Sequence, residues 1–262
     1  MTAVPNRRPR HPPRRLRLAC LVLLALPGAS GAEELDNGTD PTLLSRQVQA
    51  TFEHTRLRNG FEANLLNLNF SQPFGEKRDS ALRFRLPLAS NNVLGSEAYR
   101  LGDATVQLTH VFDVTRTRGR VFLAEMSFDT ADRPELGTGQ NVFKGTYIHA
   151  FFLERGGIFA PAFVHNESLW GDDDRAKVRV STVNLYYVPD LRDPRNLITL
   201  DSSVTRDWEG GREFAALAIT FGRVIGPMFG GNGIVSVKPT LYGGGERPAT
   251  WGAEVGFRVI GF

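Results

Sequence analysis

The sequence predicts an all-β protein, an antiparallel up-and-down transmembrane β-barrel of about twelve strands. Three observations carry this. In the last twelve residues Trp251, Ala253, Val255, Phe257 and Val259 alternate with Gly252, Glu254, Gly256, Arg258 and Ile260, the period of two that marks a strand with one apolar face. Residues 80–89 set Leu82, Phe84, Leu86 and Leu88 against Arg83 and Arg85. A soluble core would strand those charges, whereas a wall with lipid on one side and water on the other holds both. The third observation is an export signal at the start of the chain.

Arg7, Arg8, Arg10, Arg14, Arg15 and Arg17 precede an apolar run at 18–26, which Pro27-Gly28 breaks. Ser30-Gly31-Ala32 then offers small residues for cleavage near Ala32. This is the layout of a secretory signal, residues 1–32, and its apolar core is too short to span a bilayer as a helix. The only cysteine, Cys20, falls inside that core. Removing the signal takes six arginines from the 31 basic residues and leaves 25 against 28 acidic ones. The pI of about 9.2 therefore reflects the signal and gives no reason to expect nucleic acid. No run of 18 apolar residues follows, so a membrane helix is excluded. A mean hydropathy of −0.22 is compatible with a barrel, because half of each strand faces a polar interior.

Residues 33–44 are polar and rich in turn formers, and read as a flexible leader before a barrel at 45–262. Val48, Ala50 and Phe52 suggest a first strand, with a short helix as the alternative. Strands follow at 60–72, 80–89, 102–114 and 119–129. Segment 141–154 is continuously apolar at Phe151-Phe152-Leu153, and 157–168 places Phe159 and Phe163 opposite Ala160 and Ala162. Segment 177–189 starts in one phase, with Val178 and Val180, and ends in the other, with Val183, Leu185 and Tyr187. A β-bulge near Ser181 would reconcile the two. Segment 196–208 is the cleanest, with Ile198, Leu200, Val204 and Trp208 against Thr199, Asp201, Ser203, Thr205 and Asp207. Strands at 212–224, 232–242 and 249–262 complete the set, although Pro239 is unusual in a central strand.

Connections near 90–101, 130–140 and 169–176 are long and polar, and those between them are short. Outer-membrane barrels combine short periplasmic turns with longer external loops. With both termini in the periplasm the strand count is even, twelve with residues 46–54 and ten without them. Phe61, Phe74, Phe112, Phe143, Tyr147, Trp170, Tyr186, Tyr187, Trp208, Tyr242, Trp251 and Phe262 lie mostly near strand ends, where aromatic girdles form. A soluble sandwich or lipocalin-like barrel is the competing architecture.

Five stretches carry a family resemblance. They are residues 99–104 (Tyr-Arg-Leu-Gly-Asp-Ala), 134–139 (Pro-Glu-Leu-Gly-Thr-Gly), 171–175 (Gly-Asp-Asp-Asp-Arg), Asp207-Trp208-Glu209 and the Trp251-Gly252 strand. In these, and in their order over residues 45–262, the chain resembles the bacterial barrel family named for the meta-pathway of phenol degradation, described as transporter-like outer-membrane proteins. The resemblance implies a barrel that passes hydrophobic or aromatic small molecules, and it supplies no catalytic residues. Phe262 departs from the pattern, since it falls out of phase with the apolar side.

No constellation of catalytic residues emerges. His165 and Ser168 would have to share a face to act as a dyad, and three residues along a strand they point apart. Asp172, Asp173 and Asp174 lack the ligand spacing of a calcium loop, and the glycine runs at 230–231 and 243–245 precede no helix. No cofactor or metal is expected. The phasing puts Arg83, Arg85, Glu125, Asp201, Asp207, Lys238, Glu254 and Arg258 on the inner wall, where they either line a path for a solute or pair and seal it. The function expected is a non-enzymatic outer-membrane channel or transporter for small solutes. A lipid-modifying barrel hydrolase and a plugged structural barrel are the alternatives. The partners expected are outer-membrane lipid, the barrel-assembly machinery acting on the last strand, and the solute.

Overall fold

A computed structural model describes residues 36–93 and 98–262. The expected signal, residues 1–32, lies outside the described residues, as do 33–35 and 94–97. The strands are β1 (Gln47–Leu57), β2 (Glu62–Phe74), β3 (Ser80–Asn91), the two-residue β4 (Arg100–Leu101), β5 (Thr105–Val114), β6 (Arg118–Ser127) and β7 (Gln140–Phe152). They continue as β8 (Ile158–Gly171), β9 (Arg179–Val188), β10 (Asn196–Asp207), β11 (Arg212–Met228), β12 (Gly231–Gly243) and β13 (Ala249–Ile260). Helical structure among the described residues is a single 3-10 turn, Pro134–Leu136.

Consecutive strands pair antiparallel, and β1 pairs with β13, which closes the sheet on itself. β4 only extends the edge of β3 above β5, pairing at Leu88 and Ala89, so the wall has twelve full strands. Segment 46–54 is thus strand rather than helix, and it zips to both neighbours along its length. Closure leaves no free edge, the condition for a sheet placed in lipid.

The side chains reverse the arrangement of a soluble domain. Each strand of the wall exposes an apolar residue: Phe52, Leu68, Phe84, Leu108, Phe122, Tyr147, Phe163, Val183, Val204, Leu217, Val237 and Val255. In water such a belt would be a continuous adhesive surface. In a bilayer it is the favourable face. The interior mixes polar side chains with small or branched apolar ones. Ala160 and Ala162 of β8 turn inward while Phe159 and Phe163 point out. Leu197, Val224, Ile234 and Ile260 form a buried cluster inside the β10–β13 sector.

Three local readings change. The register of β9 runs unbroken through Ser181 against both β8 and β10, so there is no bulge there. Val180 simply faces inward, and the interior tolerates it. A bulge does occur in β11, between Val224 and Gly226. Pro239 keeps its place in β12 because the ladder to β11 lapses beside it, between Ala218↔Thr240 and Phe221↔Val237. Tyr186 and Tyr242 leave the girdle, since they pair across the inner face with Asp201 and Ala216. At the end of β13, Gly261 adopts φ +79°, a conformation glycine takes without the penalty a side chain brings. The turn puts Phe262 under the Arg46 guanidinium, 5.9 Å from the ring centroid, which explains its broken phase.

Candidate luminal site

Strand register decides which side chains meet inside. One row winds round most of the inner wall: Gln47, Ser71, Arg83, Gln107, Glu125, Lys144, Asn166, Val180, Asp207, Arg212. A second row runs Arg258, Gln49, Asn69, Arg85. A third joins Lys238, Glu254 and Glu53. Asp201 lies beside Asn184, whose side-chain amide donates to it at 3.1 Å. Arg83, Arg85, Glu125, Asp201, Asp207, Lys238, Glu254 and Arg258 thus all lie opposite the apolar belt.

These groups fall into small sets rather than one cluster. Glu125 is 4% exposed and receives Lys144 at 2.6 Å and Arg85 at 3.2 Å. A buried carboxylate between two cations is well compensated. Lys238 and Glu254 pair at 3.4 Å. Asp207 has a structural task, because it accepts the Gly210 N–H at 2.9 Å and the Arg212 guanidinium at 2.6 and 3.0 Å, shaping the β10–β11 turn. Among the described residues Arg83 and Arg258 form no salt bridge with a wall carboxylate, although Glu125 acts on Arg83 electrostatically from further off. The Nε of Arg83 has no partner among the described residues.

Above Arg85 and Glu125, at the end of the barrel away from the chain termini, is a cavity of about 350 Å³. Its apolar side is Leu65, Pro87, Ala89, Leu136, Val142 and Val178, and its polar side includes Asn67, Asp103, Thr138 and Asn166. Residues 102–103 and 136–138 reach it because two loops fold inward. Asp103 accepts the Thr138 N–H at 2.7 Å and its hydroxyl at 3.0 Å. Asn91 donates to the Glu135 carbonyl at 2.8 Å. From a third loop, Arg175 donates to the carbonyls of Pro134 and Gly137 at 2.6 and 2.8 Å. Gln140 donates to the Asp172 carbonyl at 2.6 Å. The stretches 99–104, 134–139 and 171–175 therefore build one cap. A second, open cleft lies between hairpin tips and is lined by Arg58, Asn59, Arg212 and Arg247.

Segment 36–45 lies against the inner wall at the opposite end. Asp36 accepts from Gly38 N–H at 2.7 Å and from the Ser45 hydroxyl at 2.6 Å, closing the segment into a loop. Arg258 donates to the Asn37 carbonyl at 2.6 Å and packs over Gly38. Thr42 packs on Gly119 of β6, in space that any larger residue there would fill. β13 and β6 lie on nearly opposite sides of the barrel, so the leader bridges the lumen.

The residues weighed for hydrolysis are separated by the wall. Ser168 faces in, and its hydroxyl accepts the Val178 N–H at 2.8 Å. His165 faces out, 2.9 Å from Ser181 and 3.2 Å from Glu167. The Ser181 oxygen also accepts the Trp208 indole N–H at 3.0 Å. Asp172 caps its own turn by accepting from Asp174 N–H at 2.9 Å.

Lys144 and the leader contacts were not legible from the sequence. Lys144 had a usable signal, since Val142, Lys144, Thr146 and Ile148 alternate with Phe143, Tyr147, His149 and Phe151 once the apolar run at 151–153 is set aside.

The fold is that of solved outer-membrane β-barrels. The chain resembles an outer-membrane channel from Pseudomonas putida F1 with TM-score 0.68 at 11% identity, over 87% of this chain and 100% of that one. It resembles the NanC porin with TM-score 0.59 at 7% identity, over 83% and 100%. It also resembles the KdgM porin with TM-score 0.54 at 11% identity, over 81% and 98%. At such identities the likeness is one of fold. No family model matches the chain, and no curated protein matches it.

Proposed function

We propose that the protein is a non-enzymatic channel of the bacterial outer membrane that passes small solutes with apolar or aromatic bodies. One observation carries this reading. The closed barrel places an apolar belt outside and a capped cavity, apolar on one side and charged below, inside. The resemblance to the phenol meta-pathway family and the fold shared with porins support it. In this reading Arg83, Arg85, Glu125, Asp201, Asp207, Lys238, Glu254 and Arg258 line or frame the path. Export follows cleavage near Ala32, and the last strand engages the barrel-assembly machinery.

The test is reconstitution of the purified protein into planar bilayers and liposomes. The expected result is discrete conductance and uptake of a small aromatic solute. Absence of both, with the barrel folded by heat-modifiable gel mobility, leaves the plugged structural barrel as the reading.

A further inference from the structure

The outer wall carries an unmatched patch of positive charge at the end of the barrel that holds the chain termini. A bulge in β5 between Val111 and Asp113 sets Asp113 opposite Arg120 of β6. The Asp113 carboxylate stands 3.4 Å from Arg118 and 3.6 Å from Arg120. Among the described residues it is the sole ionic partner of both guanidiniums, and the Nε of Arg120 is buried without a hydrogen bond. Other arginines of this rim are better served. Arg223 has Asp193 at 3.6 Å and donates to Asn196 at 2.6 Å, and Arg46 donates to Gln72 at 2.8 Å.

The turns around the patch do not cancel it. With the β5–β6 and β7–β8 turns included, Arg116, Arg118, Arg120 and Arg155 stand against Asp113 and Glu154, an excess of two positive charges. The β2–β3 turn on the other side is balanced, with Glu76 and Asp79 against Lys77 and Arg78.

A shelf of rings adjoins the guanidiniums. On β7, Arg120 is in register with His149, and Arg118 with Phe151. His149 stacks on Phe151 with 4.4 Å between centroids. The row continues to Tyr147 and Phe112 one way and to Phe159 the other, with no step longer than 6.5 Å. Phe112, Tyr147, Phe151 and Phe159 are exposed on the outer face. The Nε2 of His149 is buried without a partner, beside the equally unpartnered Nε of Arg120 in the register. Rings at this depth meet the ends of acyl chains, and arginine stems carry their charge out to the headgroups.

We propose that Arg118 and Arg120 hold the phosphate of an anionic glycerophospholipid against the outer wall, with its acyl chains on the Phe112–Tyr147–Phe151 shelf. Guanidiniums suit phosphate because each donates several charge-assisted hydrogen bonds from one plane. The excess of positive charge selects a headgroup that stays negative, such as phosphatidylglycerol, over a zwitterionic one. Asp113 competes for the same two guanidiniums and so tempers the affinity. The site needs the barrel to lie in a membrane and is independent of what passes through the lumen.

Native mass spectrometry of the purified barrel, with phosphatidylglycerol and phosphatidylcholine supplied in equal amounts, counts the lipid retained. The wild type is expected to keep phosphatidylglycerol in preference. Arg118→Gln/Arg120→Gln should lower that preference about fivefold, the effect of losing two screened charge contacts. Asp113→Asn should raise it about twofold, because a competing carboxylate is gone. Arg223→Gln, on the same rim outside the patch, should leave it unchanged. Heat-modifiable gel mobility reads the fold of each variant. If the double variant does not fold, Arg118→Gln alone carries the test, since that side chain is well exposed. Equal retention of the two lipids by the wild type, or a preference unmoved by the arginine variants, overturns the proposal. Displacement of phosphatidylglycerol by millimolar inorganic phosphate also overturns it, since the patch would then bind an anion without the help of the shelf.

Discussion

Thr42 and Gly119 lie in contact across the lumen: the Thr42 Cβ is 3.5 Å from the position a Cβ on residue 119 would take. That separation matches the Cβ spacing of a disulfide. The double variant Thr42→Cys/Gly119→Cys should therefore cross-link on mild oxidation. The native cysteine, Cys20, lies in the segment expected to be removed, so no other thiol competes. A shift in non-reducing gel mobility, reversed by reductant, reads the bond. In a bilayer, the cross-linked form should conduct less than the reduced form. A double variant that stays reduced under oxidant would contradict the leader's position.

Glu125 should be the most stability-sensitive charge of the inner wall. It is almost fully buried, with cations at 2.6 and 3.2 Å. Glu125→Gln leaves both cations facing a neutral amide, at a cost of about 2–4 kcal/mol after allowance for a wet lumen. The measurement is urea unfolding in detergent, followed by loss of heat-modifiable mobility. Arg85→Gln added to Glu125→Gln should recover part of the loss, since it removes one unpaired charge. Simple additivity would mean the three groups do not interact.

The cap depends on Arg175. Arg175→Ala removes two donors to main-chain carbonyls and should weaken the inward fold of residues 128–139 by about 1–3 kcal/mol. Arg175→Lys should restore part of it, because both bonds come from one nitrogen, Nη2, and an ammonium also carries donors enough for two carbonyls. Protease nicking within 128–139 of an otherwise intact barrel measures the effect. Equal resistance in wild type and both variants would mean the loops are held by other contacts.

Adjacent positions on β10 should respond in opposite ways to one substitution. Val204 is 64% exposed on the outer face, and Ser203 pairs with Asn184 and Ala216 on the inner one. Val204→Lys puts a charge into hydrocarbon at about 2–4 kcal/mol, whereas Ser203→Lys reaches the wet interior at little cost. The amount of folded protein in the membrane fraction distinguishes them. Equal yields would place the belt elsewhere.

His165→Ala should leave envelope lipid composition unchanged. The imidazole touches Ser181 and Glu167 on the outer face, and Ser168, the hydroxyl weighed with it from the sequence, lies across the wall and accepts the Val178 N–H. A changed acylation pattern, seen by mass spectrometry of extracted lipids, would revive the hydrolase alternative.

The strands were legible because a barrel wall writes a period of two into every segment, and the clearest segments, 80–89 and 196–208, lie within one or two residues of β3 and β10. Misreadings arose where the interior is not polar. Val180 suggested a phase change only because an apolar residue was assumed to face lipid. The cap and the leader were illegible for a different reason. Their contacts join residues 32 to 44 apart within the cap, as between Gln140 and Asp172 or Asn91 and Glu135, and 221 apart between Asn37 and Arg258. Such pairs leave no local pattern. Three stretches of the family resemblance, 99–104, 134–139 and 171–175, meet in the cap, and nothing local in the sequence shows that they touch.

Part of the cap is tied through main-chain oxygens. Asn91 holds the carbonyl of residue 135, Arg175 those of 134 and 137, and Gln140 that of 172. Every amino acid carries that oxygen. The three anchoring side chains are therefore indifferent to which residues the loops display, provided the backbone keeps its path. A loop side chain can change without disturbing these anchors, except at Gly137, Gly139 and Gly171, where an added Cβ would lie within 2.6 Å of neighbouring atoms.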